Sequence, residues 1–102
     1  MVLRCLIFEM KVYKILHIPT GLYFKPSNGG NNLSKKGKIY PIKPSLSWIS
    51  SSIRIDFWNR SRISEDNRKI INHFNLDLPA EWYHFQRYVE VPRKDWKIVE
   101  VE

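Results

Sequence analysis

The sequence predicts an α+β fold, with a small antiparallel sheet (an N-terminal three-stranded meander plus a C-terminal strand) and one or two helices. Three observations predict it. The runs Lys11–Ile18 and Leu22–Lys25 are rich in β-branched and aromatic residues, and Pro19-Thr20-Gly21 between them is turn chemistry. Ser64-Glu65-Asp66 opens a segment whose apolar residues recur at helical spacing. Trp96–Val101 closes the chain as a β-rich run. A chain of 102 residues allows one domain, read as residues 11–102. Residues 1–9 read either as an extra edge strand or as upstream reading frame, with Met10 as the expected native start.

Taken in order, Lys11–Ile18 and Leu22–Lys25 form a hairpin, because Pro fixes φ and Gly accepts positive φ at the turn. Residues 26–32 (PSNGGNN) read as a flexible polar loop. Ser34-Lys35-Lys36-Gly37 is a second turn, which places the third strand at Lys38-Ile39-Tyr40. Pro44 and the spacing of Leu46 and Ile49 give a short helix over 44–51. Ile53–Trp58 alternates as a strand should. Ser64 is the expected N-cap of a helix that buries Ile70, Ile71 and Phe74, with Asn75 and Pro79 at its end. Residues 80–91 are rich in aromatics and ambiguous between helix and strand. Pro92–Asp95 is a turn before the terminal strand.

Composition excludes several classes. The single cysteine, Cys5, permits neither an intramolecular disulfide nor a four-cysteine zinc site. No apolar run approaches the roughly 20 residues of a bilayer span, so no membrane partner is expected. An apolar content of 43% is too high for a disordered polycation. The stretch up to Gly37-Lys38 is not a phosphate-binding loop: Asn32 stands where the first glycine belongs, and Ile39 replaces the magnesium-binding hydroxyl. His17, His73 and His84 are scattered without ligand spacing, so no metal, no cofactor and no catalytic residue is expected, and each histidine reads as a surface or half-buried side chain.

What remains is charge. The chain carries 17 Lys+Arg against 10 Asp+Glu, a formal +7. Residues 10–55 hold eight bases and no acid, so the whole excess sits in one half. That block must face counterions, a polyanion, or the acids Glu65, Asp66, Asp77 and Glu81 of the other half. Tyrosines are interleaved with its lysines. On the first strand Lys11, Tyr13 and Ile15 share one face, while Val12, Lys14 and Leu16 share the other. Lys14, Lys25, Lys35, Lys36, Lys38 and Lys43 are therefore the candidate phosphate contacts, with Tyr23 and Tyr40 as candidate stacking rings. Trp48, Phe57, Phe74 and Trp96 are assigned to the core. Basic residues on strands and loops, with no basic recognition helix, point to RNA ahead of DNA.

Lys14-Ile15, His17 and Thr20–Tyr23, then Ser34-Lys35 and Gly37–Tyr40, and finally Trp96 and Ile98–Glu100 form a pattern. It resembles one found in small accessory proteins of tailed bacteriophages, over roughly residues 11–43 and 95–102. The resemblance implies a protein made in the cytoplasm of an infected bacterial host. It also implies, by analogy with the RNA-binding ToxIN-inhibiting factor of T-even phages, a counter-defence role as a toxin inhibitor. The alternative is a protein-binding inhibitor of a host defence or transcription component, in which the basic patch meets an acidic host protein. A structural component that self-associates along a sheet edge is a third reading, and the oligomeric state is left open by the sequence.

Overall fold

The computed structural model describes residues 11–26, 30–48, 52–58, 64–78 and 83–101. The proposed leader or extra strand at 1–10 lies outside the described residues, as do positions 27–29 of the polar loop, 49–51 of the proposed helix, and Pro79. The fold is α+β, as expected. A four-stranded antiparallel sheet has the order β3-β2-β1-β6, with β1 at Val12–His17, β2 at Leu22–Phe24, β3 at Leu33–Ser34 and β6 at Trp96–Val101. A separate antiparallel pair is formed by β4, Ser52–Trp58, and β5, His84–Glu90. The helix α1 spans Glu65–Phe74.

The meander forms, but its third strand is not where the sequence placed it. Leu33–Ser34, ahead of the lysine turn, pairs with β2 as Phe24↔Leu33 and Tyr23↔Ser34. The expected strand at 38–40 reduces to one bridge, Tyr13↔Tyr40, on β1. The reason is the turn itself. Gly37 has φ 66°, its N–H is held by Ser34 Oγ at 2.8 Å, and it sits close to the Tyr23 side chain. The turn therefore crosses over the sheet instead of extending its edge, and delivers Tyr40 to the stretch of β1 that β2 is too short to reach. A Cβ at position 37 would stand 2.3 Å from Tyr23 Cβ, an atom fixed by the β2 backbone. Gly37→Ala adds this clash to the left-handed backbone cost, for an expected loss of about 2–4 kcal/mol in urea unfolding. A change within about 0.5 kcal/mol, the usual surface range, would show that the turn moves freely.

The expected helix over 44–51 is, within the described residues, a single 3-10 turn at Leu46–Trp48. Serines are poor helix interior, and Ser52 already belongs to β4. The strand expected at 53–58 is present with Ser52 added. The unassigned run 80–91 contains β5, fully paired with β4 from Ser52↔Glu90 to Trp58↔His84. The helix is capped as read. Ser64 Oγ accepts from the Asn67 N–H at 3.1 Å, and Asn75 adopts φ 52°, ψ 47° with its N–H donating to Ile71 O.

One core joins both sheets and the helix. Ile15, Leu22, Leu33 and Trp96 come from the larger sheet, Ile53, Ile55, Phe57 and Phe85 from the β4–β5 pair, and Ile70 from α1. Ile71 and Phe74 pack against it half-buried. The core assignments of Phe57 and Trp96 hold, Phe74 lies at the margin, and the side chain of Trp48 lies outside the description.

The polar loop is not free at its C-terminal end. Arg54 donates its N–H to Asn32 Oδ1 at 2.7 Å and accepts the Asn32 N–H at 3.0 Å. Asp56 donates its N–H to Asn31 Oδ1, and Asn31 Nδ2 donates to Asn67 Oδ1 on α1 at 3.3 Å. Two asparagines thus occupy the edge of β4 that β5 leaves open and tie it to the larger sheet and the helix. Their short amides can do this because each carries both a donor and an acceptor.

Candidate functional site

The register fixes which side chains share a surface. Directly opposed residues of antiparallel strands lie on one face. Leu16 faces Tyr23 and Lys97, Lys14 faces Val99, and Tyr23 faces Ser34. These residues form the side of the larger sheet turned away from the core, and the Ser34–Gly37 turn folds over it with Lys35 and Lys36 exposed. Lys14 Nζ sits over the Tyr23 ring, 4.8 Å from its centroid. This cation–π contact is worth about 0.5–1 kcal/mol at an exposed site and keeps the ammonium beside the ring.

The remaining lysines do not all share this face: Lys38 stands with Tyr40 on the Tyr13 side of the sheet. Lys25 and Lys43 are exposed. Lys38 is exposed and lies over the Tyr40 ring at 5.2 Å. Tyr40 corrects one expectation: it is 8% exposed, because its bridge to Tyr13 turns it toward the core. It supports Lys38 from below and does not present a face to solvent. Tyr23 is half-buried, with one ring face engaged by Lys14.

The charge imbalance survives folding. Among the described residues, none of Lys14, Lys25, Lys35, Lys36, Lys38 and Lys43 forms an ion pair, while Lys11 meets Glu100 at 3.4 Å. Glu65, Asp66 and Asp77 do not pair with these lysines, and Glu81 lies outside the described residues.

The exposed rings are elsewhere, at the end of β4 and in the run 80–91 that the sequence left unassigned. Trp58, Tyr83 and Tyr88 are 44%, 66% and 65% exposed. Trp58 stacks on His84 with centroids 3.9 Å apart and meets Tyr83 edge-on at 5.6 Å. His84 Nε2 is held by Asp56 Oδ1 at 2.7 Å. Alternation in His84-Phe85-Gln86-Arg87-Tyr88-Val89 was the available signal: Phe85 is buried, whereas His84, Gln86 and Tyr88 point outward. This ring surface is connected to the lysines. Lys25 N–H donates to Asn32 O, Asn32 N–H donates to Arg54 O, and Arg54 faces Tyr88 across the β4–β5 pair. Three ladder steps of about 4.8 Å put Lys25 roughly 15 Å from Tyr88.

A second constellation was invisible in the sequence. His17, expected at or near the surface, is 0% exposed, a consequence of its place on the inner face of β1 opposite Trp96. His73 and Phe74 come against it from the last turn of α1, with ring centroids at 5.2 and 5.7 Å. The β1–β6 register brings in Asp95, whose backbone O accepts the Ile18 N–H at 2.8 Å. One donor atom from each of His17, His73 and Asp95 lies within 4.8 Å of the other two. His17 Nδ1 is 2.7 Å from Thr20 Oγ1, while Nε2 is buried without a hydrogen-bond partner. Burial, reinforced by His73 and opposed by Asp95, lowers the His17 pKa to about 4, so the ring is neutral at pH 7.

No family model, curated protein or solved structure matches this chain.

Proposed function

We propose that this chain is a non-enzymatic nucleic-acid-binding protein, with RNA the preferred partner, acting by sequestration or coating. In the setting that the bacteriophage resemblance implies, sequestration of a host or toxin-associated RNA is the counter-defence activity. The observation that carries the reading is the set of six lysines without a carboxylate partner, on a chain whose described acids pair elsewhere or stand apart. Exposed Trp58, Tyr83 and Tyr88 supply ring surface on which unpaired bases stack, at about 1–3 kcal/mol per base. The only described α-helix begins with Glu65 and Asp66, a poor element to lay in a DNA major groove. Single-stranded or looped RNA suits this combination of charge and rings.

Salt dependence tests it. Six engaged phosphates give a log–log slope of affinity against salt near −4 for a single strand. Protein isolated at low salt should carry excess absorbance at 260 nm that high salt removes. A flat salt response, or a stoichiometric acidic host protein retained after nuclease treatment, would overturn the reading in favour of a protein partner.

A further inference from the structure

We propose that His17 Nε2, His73 and Asp95 form a three-ligand site for a divalent transition metal, Zn(II) by ligand type, which fastens the last turn of α1 to the sheet. The donors come from three separate elements: the end of β1, the final turn of the helix, and the turn before β6. Nothing in the fold of any one of them requires the others' polar side chains to converge.

The strongest support is the unpartnered nitrogen. A buried polar atom without a hydrogen bond is costly, and native structures retain few of them. His17 Nε2 is such an atom. Its other nitrogen is held by Thr20 Oγ1, itself in a buried residue. With Nδ1–H donated to that hydroxyl, Nε2 carries the lone pair. This is the usual arrangement of a metal-bound histidine, in which a second hydrogen bond fixes tautomer and ring plane. The surroundings fit as well. Phe74 and Trp96 flank the His17 ring at 5.7 and 5.2 Å and form an apolar shell.

Geometry leaves a short distance to close. Tetrahedral zinc with bonds of roughly 2.0–2.1 Å sets donor atoms about 3.3 Å apart. One ring nitrogen each of His17 and His73 and one Asp95 carboxylate oxygen lie within 4.8 Å of one another, and His73 is exposed while Asp95 is half-buried. The adjustment falls on His73 and Asp95, the two less buried side chains, and not on fully buried His17. An ion enters from the His73 side, and the helix C-terminus, with its partial negative charge, favours a cation there. Two histidines and a carboxylate leave a fourth position for water.

The test uses the full chain stripped with EDTA and then titrated with Zn(II) and, for its visible spectrum, Co(II). One equivalent should bind, with tetrahedral Co(II) absorption and a Zn(II)-dependent shift of the His17 ring resonances. His73→Ala, at an exposed position that leaves the core intact, should weaken binding by at least about 100-fold, the upper end of what loss of a supporting contact costs. Thr20→Val should weaken it by about 10–100-fold. His84→Ala, at the separate His84–Asp56 pair, should leave the isotherm unchanged. No saturable binding below about 1 mM Zn(II), or an unchanged isotherm in His73→Ala, would overturn the proposal. RNA affinity is read separately, so failure of one proposal does not imply failure of the other.

Discussion

Lys35→Glu, Lys36→Glu and Lys38→Glu combined should abolish RNA binding while leaving the fold intact. If three of six phosphate contacts are lost, the counterion-release contribution halves. At about 50 mM salt this removes two to three decades of affinity, and the salt slope falls from about −4 to about −2. Repulsion by three carboxylates adds to the loss. The fold should survive because all three side chains are exposed and none is ion-paired among the described residues. The structural cost is confined to the Lys38–Tyr40 contact, about 0.5–1 kcal/mol. Fluorescence anisotropy with a labelled single strand measures the first effect, and far-UV circular dichroism with urea unfolding measures the second. Retained affinity in a folded triple variant would remove these lysines from the interface.

Acid should destabilise the chain well above the carboxylate range. In EDTA, stability held by His17 is fully present above about pH 6.5 and is lost as pH falls toward about 4. Over that interval the unfolded ring binds a proton and the buried native ring does not, so stability rises with pH. The shift from 6.5 to about 4 is worth roughly 3 kcal/mol, of which about 2 kcal/mol is already gone near pH 5. His73 adds to the depression and Asp95 partly offsets it, but burial is the largest cause. Urea unfolding at pH 7 and pH 5 gives the difference, and an NMR titration of the His17 ring assigns it. A His17 midpoint near 6.5 would show that the ring is hydrated and that the acid sensitivity arises elsewhere.

What the sequence disclosed was local. Val12–His17, the Ser64 cap, the Ile70-Ile71-Phe74 stripe and Trp96–Val101 each carry their own signal in a few neighbouring residues, and each element is present. What it concealed depends on long-range approach. The third strand was misplaced because turn chemistry at Ser34–Gly37 does not reveal which side of the turn pairs; contact of Gly37 with Tyr23 decides that. Tyr40 was read as exposed because its burial follows from a single bridge to Tyr13. His17, His73 and Asp95 lie far apart in the chain, and only the His17↔Trp96 register together with the packing of α1 unites them. The lysines were legible because charge needs no partner to be counted. The exposed Tyr83 and Tyr88 were hidden because the aromatic-rich run 80–91 leaves helix and strand equally open until its pairing with β4 is known.

The Asn31–Asn32 clasp has a consequence for solubility. An edge strand with open amides at Arg54 and Asp56 would invite a second molecule to add its own strand and seed filaments. Here those amides already donate to carboxamide oxygens within the same chain. Oligomers nucleated along that border require the clasp to open first, so replacement of both asparagines should raise the rate at which the protein precipitates with time and concentration, read by light scattering beside the unaltered chain.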